Sequence, residues 1–238
     1  MLVAVRHFSP GLDFGEAEQI VAIDVLRATS VIVTALAHGA RGVVPVDSVE
    51  AARKAATRHE RPFLGGERAN RRIEGFDAGN SPSEYVGAGM TGATVILATT
   101  NGTRALAAAA QLPGRSVSAA AFFNVHAIVN HLAAGGGDVL LLCAGTDGRF
   151  SLEDALCAGA IAHRLQARGS ALDDEALAAA ELYAARKHDL PDFIARGSHA
   201  RRLTAQGFGE DVIDAAAIDR YDIVPLLDGE MLKARVSH

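Results

Sequence analysis

The sequence predicts a layered α/β/α protein whose sheet is mostly parallel or mixed. Up to about residue 169, short and uniformly apolar runs alternate with stretches of helical periodicity. Such runs are typical of parallel strands that helices cover on both faces. Beyond residue 169 the pattern is largely helical. We therefore expect one domain over 1–238, with a helix-rich portion from about 170 to 220.

The apolar runs mark the strands, because each is short and ends at polar residues or glycine. Predicted strands cover residues 1–7, 19–23, 42–46, 94–98, 116–120 and 139–142, and a further extended run covers 222–227. Predicted helices cover residues 29–37, 49–58, 103–111, 125–133, 152–166, 173–188 and 198–205. Strands that alternate with helices in this way indicate a sheet covered on both sides.

Two helix starts carry capping signals. Ser81 is followed by proline at the first helical position and by Glu84 three residues on, and Ser151 is followed three residues on by Asp154. Both patterns predict a capping box, in which the acid accepts a hydrogen bond from the first residue's backbone N–H. The segment 61–79 differs, being rich in Gly, Arg and Glu with little periodicity. There we expect a long functional loop.

Composition excludes several classes of protein. With 238 residues, 49% of them hydrophobic, the chain can bury a substantial core, and a net charge of −5 argues against nonspecific nucleic-acid binding. No apolar run approaches the roughly 18 residues of a membrane span, and the first residues lack a signal-peptide pattern. We expect a cytoplasmic protein with a small anionic phosphorylated substrate and with no nucleic-acid or membrane partner. A homo-oligomer, most simply a dimer, stays open.

Five short polar segments follow apolar runs or precede helices. Charged side chains and glycines at the carboxyl ends of strands converge on one edge of an open α/β sheet, where helix N-termini also point. The segments are residues 24–30, 66–68, 75–82, 99–103 and 143–154. Together they predict a site for an anion and a metal ion.

The first segment places Asp24 after a buried strand, Arg27 three residues later, and Thr29 and Ser30 at a helix start. A carboxylate, a guanidinium and a helix N-terminus at one place suit a phosphate held beside a cation. The alternative is that Asp24 caps the helix and pairs with Arg27. If Arg27 instead faces a ligand, its replacement should barely change thermal stability.

The next two segments offer acids and amides in glycine-containing loops. Two glycines immediately before Glu67 and Arg68 would let the backbone approach a ligand. A solvated charge run is the alternative. Asp77 and Asn80 lie just before the capped helix, where they serve either a ligand or only the turn.

The fourth segment is an uncharged loop of hydroxyls and an amide at a strand-to-helix junction, and it contains Asn101 and Thr103. Its backbone N–H groups would suit an oxyanion cradle. Because Asn-Gly is also common in turns, a purely structural turn is the alternative.

The last segment contains Cys143 and Arg149 at the C-x5-R spacing of cysteine-dependent phosphatases, around a loop that includes Gly145. Glu153 and Asp154, further on, would repel a phosphate but suit Mg²⁺. We favour a structural Cys143 and expect the two cysteines of the chain to be free thiols. A metal-independent Cys143/Arg149 phosphatase stays open, as does a non-catalytic module that binds a small anionic metabolite.

Taken in order, the five segments resemble those of the 2-phosphosulfolactate phosphatases of the ComB type, over residues 1 to 230. The resemblance implies a Mg²⁺-dependent phosphatase that hydrolyses 2-phospho-3-sulfolactate to sulfolactate and phosphate, a step towards coenzyme M. The positions that carry the motifs are Asp24, Arg27, Glu67, Arg68, Asp77, Asn80, Asn101, Thr103, Glu153 and Asp154.

The side-chain chemistry of these residues divides them into catalytic, substrate-binding and metal-binding candidates. We favour direct metal-assisted hydrolysis over a covalent intermediate. Expected catalytic residues are Asp24, Arg27, Glu67, Arg68 and Asn101. Expected substrate-binding residues are Thr29, Ser30, Asp77, Asn80, Thr103, Gly145 and Arg149. Expected Mg²⁺ ligands are Asp24, Glu67, Glu153 and Asp154.

Overall fold

Eleven strands form one mixed sheet in the computed structural model, which describes residues 1–9, 11–100 and 102–236. Helices cover both of its faces, so the predicted α/β fold is confirmed. The strands are β1 (Leu2–His7), β2 (Gln19–Ile23), β3 (Gly42–Val46), β4 (Pro62–Arg68), β5 (Arg71–Arg72), β6 (Thr94–Ala98), β7 (Ser116–Ala120), β8 (Val139–Cys143), β9 (Ala171–Leu172), β10 (Ile223–Asp228) and β11 (Met231–Val236).

The α-helices of the described residues follow the predicted alternation and then the predicted helix-rich portion. They are α1 (Ala28–Ala37), α2 (Val49–Ala56), α3 (Gly102–Ala110), α4 (Val125–Gly135), α5 (Leu152–Gln166), α6 (Asp174–Arg186), α7 (Leu190–Ala195), α8 (Ser198–Ala205) and α9 (Gly209–Asp214). The sequence did not predict α7 and α9, which are too short to show a helical period. None of the helices in these ranges combines the length and the apolar character that crossing a membrane requires.

The sheet contains two parallel blocks joined by a hairpin. Strands β4, β6 and β3 form one block, and β7, β2, β8, β1 and β9 form the other. The antiparallel hairpin of β10 and β11 lies between them, with β11 antiparallel to β3 and β10 antiparallel to β7. Because these successive antiparallel pairings reverse direction, the two blocks run in opposite senses along the sheet.

The carboxyl ends of the two blocks nevertheless meet at one place. Adjacent strands of a twisted sheet rotate by roughly 20–25° against each other. The six steps from β4 to β2 in the strand order therefore accumulate a turn of about 120–150°. A turn of that size brings the ends of oppositely directed strands towards the same side. Glu67 in β4 and Asp24 after β2 line the same cavity.

Both faces of the central strands are packed, which explains their largely apolar sequence. In β2, Ile20 and Ala22 join the hydrophobic cluster that contains residues of α1 and α3. The alternate residues, Val21 and Ile23, join the cluster on the other face with residues of α4, α5 and α6. Side chains of a strand alternate between faces, so a strand with two buried faces is almost wholly apolar. The buried exception in β2, Gln19, donates its side-chain hydrogen bonds to the carbonyl oxygens of Leu132 and Gly136.

The expectation of a long loop over 61–79 is wrong for its first part, because β4 pairs in parallel with β6 there. Proline, two glycines and charged residues are all poor strand formers, so the strand left no periodic signal. The glycines allow close approach instead. A Cβ on Gly65 would overlap the Tyr85 hydroxyl, and one on Gly66 would overlap the Ala98 carbonyl oxygen.

We predict that Gly159→Ala destabilises the protein. Gly159 lies in α5 where the backbone of α6 passes closest, and a Cβ there would overlap the Ala179 carbonyl oxygen. Crowding of this kind costs about 1–3 kcal/mol of unfolding free energy, although alanine is the better helix former. Urea denaturation measures the change.

Gly89→Ala is the matched control, since no atom lies within 4 Å of the added Cβ. Equal unfolding free energies for the two variants would refute the close packing of α5 on α6.

Candidate active site

A cavity of about 290 Å³ opens where the carboxyl ends of the two blocks meet. Each of the five predicted polar segments contributes at least one residue to its wall, and α8 closes the other side. The lining residues are Asp24, Leu26, Arg27, Glu67, Ala69, Asn70, Asn80, Thr99, Thr100, Asp147, His199, Arg202 and Gln206. The motifs that the sequence singled out therefore converge on one site.

Asp24 is the acid at the centre of this convergence. Its side chain is buried, and Oδ1 accepts a hydrogen bond from Ala28 N at 3.3 Å. Burial raises the pKa of Asp24 to about 6, and the charges of Glu153 and Glu67 add to the rise while His199 opposes it. The first residue of α3 must be small, since a Cβ on Gly102 would lie 2.5 Å from Asp24 Oδ2.

Thr29 and Ser30 hold the Asp24 loop in place and do not line the cavity. Thr29 Oγ1 donates to Asp24 O at 2.8 Å and accepts from Asp24 N at 3.0 Å. Ser30 Oγ donates to Val25 O at 2.7 Å. Both side chains are fully buried. The structure thus places these two expected substrate-binding residues behind the cavity wall, where their hydroxyls replace backbone hydrogen bonds at the start of α1.

Glu67 ties together the loops that follow β4 and β6. Its buried carboxylate accepts from Thr100 N at 3.2 Å and Thr100 Oγ1 at 2.9 Å through Oε1, and from Asn70 N at 2.8 Å through Oε2. A carboxylate has about four lone-pair sites. Glu67 therefore keeps acceptor capacity towards the cavity that it lines.

The structure does not bring Arg68 or Asp77 to the cavity wall. The Arg68 guanidinium donates to Glu67 O at 2.8 Å and to Asp47 O at 2.7 Å. Asp77 is exposed, and its Oδ2 accepts from Leu64 N at 2.8 Å. Both side chains fasten β4 to neighbouring segments.

The loop after β6 contributes through its first residues. Thr99 and Thr100 line the cavity, whereas Thr103 Oγ1 donates to Thr99 O at 2.8 Å inside α3 and is buried away from it. Asn101, an expected catalytic residue, lies outside the described residues.

Two buried oxygens on the cavity wall have no hydrogen-bond partner among the described residues. They are Asn80 Oδ1 and Thr99 Oγ1. A polar atom that is buried without a partner costs free energy, so such atoms in a native structure are exceptions that need an explanation. Their position indicates that a ligand of the cavity completes them.

Arg27 is a structural partner of the helix-rich portion as well as a cavity residue. One nitrogen, Nη1, donates to Asp211 Oδ2 at 2.7 Å and to Ser81 Oγ at 3.1 Å. The guanidinium carbon lies 4.1 Å from the centre of the Phe208 ring. The alternative pairing of Arg27 with Asp24 is therefore wrong. The expectation that Arg27 adds little to folding must also be revised, because its ion pair is buried.

Asp154 fastens the loop after β2 to the loop after β8. Its Oδ1 accepts from Val25 N at 2.9 Å and its Oδ2 from Gly145 N at 3.0 Å. Burial, together with the charges of Glu153 and Asp24, raises the pKa of Asp154 well above its usual range. The predicted capping box with Ser151 is wrong, since both Asp154 oxygens bind other loops. Neither Asp154 nor Gly145 lines the cavity.

Glu153 is paired with a histidine that the sequence analysis did not single out. His199 Nδ1 lies 2.9 Å from Glu153 Oε1 and 3.1 Å from Thr146 Oγ1. Both members of the pair are buried, and His199 lines the cavity whereas Glu153 does not. Nothing in the spacing of these residues signals the pair, because 46 positions separate them. Asn70, Arg202 and Gln206 also line the cavity, and no spacing or motif in the sequence singled them out.

Cys143 and Arg149 are not brought together at the cavity. Cys143 is fully buried in the hydrophobic cluster under α4 and α5, and burial raises the pKa of its thiol well above the usual range. Arg149 is exposed and lines an adjoining cavity of about 490 Å³. Both cysteines are free, as expected. A thiolate nucleophile at Cys143 is therefore disfavoured.

Within the described ranges, no three or more His, Cys, Asp and Glu side chains gather as a metal site. The cavity wall offers instead two buried carboxylates, Asp24 and Glu67, beside the unpartnered oxygens of Asn80 and Thr99. A third carboxylate on the wall, that of Asp147, is exposed and pairs with Arg202.

The family model described as 2-phosphosulpholactate phosphatase matches residues 11–230. Three similar chains are each named a probable 2-phosphosulfolactate phosphatase. They come from Caldanaerobacter subterraneus subsp. tengcongensis (41% identical over 219 residues, 91% of this chain and 90% of the relative), Thermotoga petrophila (43% over 212 residues, 89% and 90%) and Gloeobacter violaceus (39% over 228 residues, 94% of each).

These matches identify the chain as an enzyme, a phosphoric monoester hydrolase. It belongs to the 2-phosphosulfolactate phosphatase family, as the five motif segments indicated. A non-catalytic binding module is accordingly set aside.

We predict that Cys143→Ala keeps most of the catalytic activity. The thiol lies in the core, away from the cavity, so kcat/KM for a phosphomonoester should stay within about threefold of the wild-type value. The equally buried Cys157→Ala is the control for packing loss. A fall in kcat of roughly a thousandfold, about 4 kcal/mol of barrier, confined to Cys143→Ala would restore the cysteine mechanism.

We also predict that Asp211→Asn destabilises the protein. It leaves the buried Arg27 guanidinium without a counter-charge, which should cost about 3 kcal/mol or more of unfolding free energy. Urea denaturation measures the loss. Glu60→Gln is the control, since it breaks the exposed Arg41–Glu60 pair and should change little. Similar effects of the two variants would show that the Arg27–Asp211 pair does not hold α9.

Proposed function

We propose that the protein hydrolyses 2-phospho-3-sulfolactate to sulfolactate and phosphate with Mg²⁺ bound in the Asp24–Glu67 cavity, as a step towards coenzyme M. The observation that carries the proposal is the pairing of two buried carboxylates with two unpartnered oxygens on one cavity wall. Membership of the family supplies the substrate, because the similar chains are named for it.

The residues of the cavity fit a magnesium ion. Mg²⁺ takes oxygen ligands, commonly one or two carboxylates together with water and substrate phosphate. Asp24 and Glu67 would provide the carboxylates, with Asn80 Oδ1 and Thr99 Oγ1 as neutral ligands. When bound, the ion neutralises phosphoryl oxygens and orients a water for attack.

Glu153 and Asp154 have other tasks in this proposal, although the sequence suggested them as ligands. Both oxygens of Asp154 accept backbone hydrogen bonds, and Glu153 is bonded to His199. Placed behind the cavity wall, they position the loops and the histidine.

Cationic side chains line the space that the substrate's anionic groups require. Arg27 and Arg202 line the main cavity, and Arg149 joins Arg202 in the adjoining one. Guanidinium groups bind tetrahedral and planar anions with two parallel hydrogen bonds, which suits sulfonate and carboxylate. The two cavities share Asp147, His199 and Arg202 in their walls, and in this proposal the substrate spans both.

The proposal predicts Mg²⁺-dependent phosphate release from 2-phospho-3-sulfolactate. Activity should disappear in excess EDTA and return with Mg²⁺. Asp24→Asn removes a charge from the ligand set and should lower kcat/KM by roughly 100-fold or more while weakening Mg²⁺ binding in calorimetry.

Asp77→Asn is the control, because this motif residue is exposed outside the cavity. Full activity in excess chelator would refute the metal requirement. Turnover of other phosphomonoesters but not of 2-phospho-3-sulfolactate would refute the substrate alone.

A further inference from the structure

We infer that His199, positioned by Glu153, is the proton donor to the leaving oxygen when the phosphoester bond breaks. The inference rests on the phosphatase function proposed above and adds to it a catalytic residue from the helix-rich portion. It requires that His199 faces the ligand, that a fixed partner orients its ring, and that it lies beside the leaving group.

The ring of His199 is fixed from behind. Its Nδ1 is 2.9 Å from Glu153 Oε1 and 3.1 Å from Thr146 Oγ1, and the latter hydroxyl is 2.6 Å from Ser151 Oγ. Because a carboxylate only accepts hydrogen bonds, Nδ1 carries a hydrogen and donates it. Glu153 is 1% exposed and His199 7%, so water does not compete for this contact.

The other ring nitrogen is left for the ligand. Nε2 of His199 forms no hydrogen bond with any residue in the described part of the chain, while the residue lines the cavity. A carboxylate hydrogen-bonded to Nδ1 holds the ring orientation and directs Nε2 at the ligand, the arrangement in which a histidine exchanges a proton with a substrate. Glu153 is thus a positioning residue, and Nε2–H is the group that meets the substrate.

His199 lies between the two halves of the site. It lines the main cavity with Asp24 and Glu67, and it also lines the adjoining cavity with Arg149. In a phosphomonoester of a 2-hydroxy acid, the bridging oxygen joins the phosphoryl group to the anionic remainder. With the phosphoryl group on the carboxylate side and the anionic remainder on the arginine side, the bridging oxygen falls beside His199.

The proton transfer balances within the hydrolysis. Water attacks phosphorus, the bond from phosphorus to the bridging oxygen breaks, and its electron pair stays on that oxygen. His199 gives the Nε2 proton to the oxygen, which leaves as the alcohol. The attacking water releases one proton, which equals the proton that the imidazolium lost, so the ring returns to its starting state through solvent.

The test compares esters that do and do not need a proton on the leaving oxygen. An alkoxide leaves poorly without protonation, whereas 4-nitrophenolate leaves readily.

His199→Asn keeps an amide donor for Glu153 but has no Nε2. We expect kcat/KM for 2-phospho-3-sulfolactate to fall by roughly 100- to 10,000-fold and that for 4-nitrophenyl phosphate by less than about fivefold.

Glu153→Gln tests positioning, since it keeps the shape and removes the charge. We expect the same selectivity with a smaller loss, about 10- to 100-fold on the alkyl ester. His188→Asn, which replaces an exposed histidine, is the control and should behave as wild type. As a second readout, free imidazole should restore alkyl-ester turnover to His199→Ala. That rescue decides the matter if the wild type does not accept the aryl ester.

Equal losses on both esters, or no loss on either, together with no rescue by imidazole, would overturn the role of His199. Failure of the proposed substrate looks different. In that case the wild type would not hydrolyse 2-phospho-3-sulfolactate, while His199→Asn would still lose activity selectively on whichever alkyl phosphate, such as 2-phospholactate, the wild type accepts.

Discussion

The site depends on one buried carboxylate, that of Asp154. By accepting hydrogen bonds from Val25 N and Gly145 N, it joins the loops that leave two neighbouring strands, β2 and β8. One of these loops positions Asp24 and the other leads into α5, which holds Glu153. Because each of its two oxygens accepts a hydrogen bond from a different loop, a single side chain fixes both loops. This contact holds the loop that carries Asp24 against the loop that leads to Glu153.

Much of the fold was predictable because the burial of each central strand is visible in the apolar sequence of that strand. Strands such as β2 and β8 are apolar at almost every position, since both of their faces meet helices. The strand β4 was not predictable, because its glycines and charges serve close contacts with Tyr85 and Ala98 and with the ligand side of the sheet. The direction of the hairpin β10–β11 was also hidden, since strand pairing over long sequence separations leaves no periodic signal.

The candidate site divides in the same way. Asp24, Glu67 and Asn80 lie in short segments whose glycines, hydroxyls and position after strands are visible in the sequence, and all of them reach the cavity. Partners that come from distant elements were not visible. The Arg27–Asp211 ion pair and the Glu153–His199 pair each join a strand-end segment to the helix-rich portion. Local sequence patterns indicate which side chains belong to the site, whereas the orientation of those side chains depends on tertiary contacts between distant segments.

The hairpin β10–β11 gives the chain a particular order of assembly. It is made after both parallel blocks, and it pairs with β7 through Leu226 and with β3 through Leu232, residues that follow their partners late in the sequence. During synthesis at about 5–20 residues per second, the two blocks therefore emerge seconds before the strands that join them. Contacts between such distant segments form slowly. Because Asp24 and Glu67 come from different blocks and line one cavity, the active site depends on the strands that join the blocks as much as on the blocks themselves.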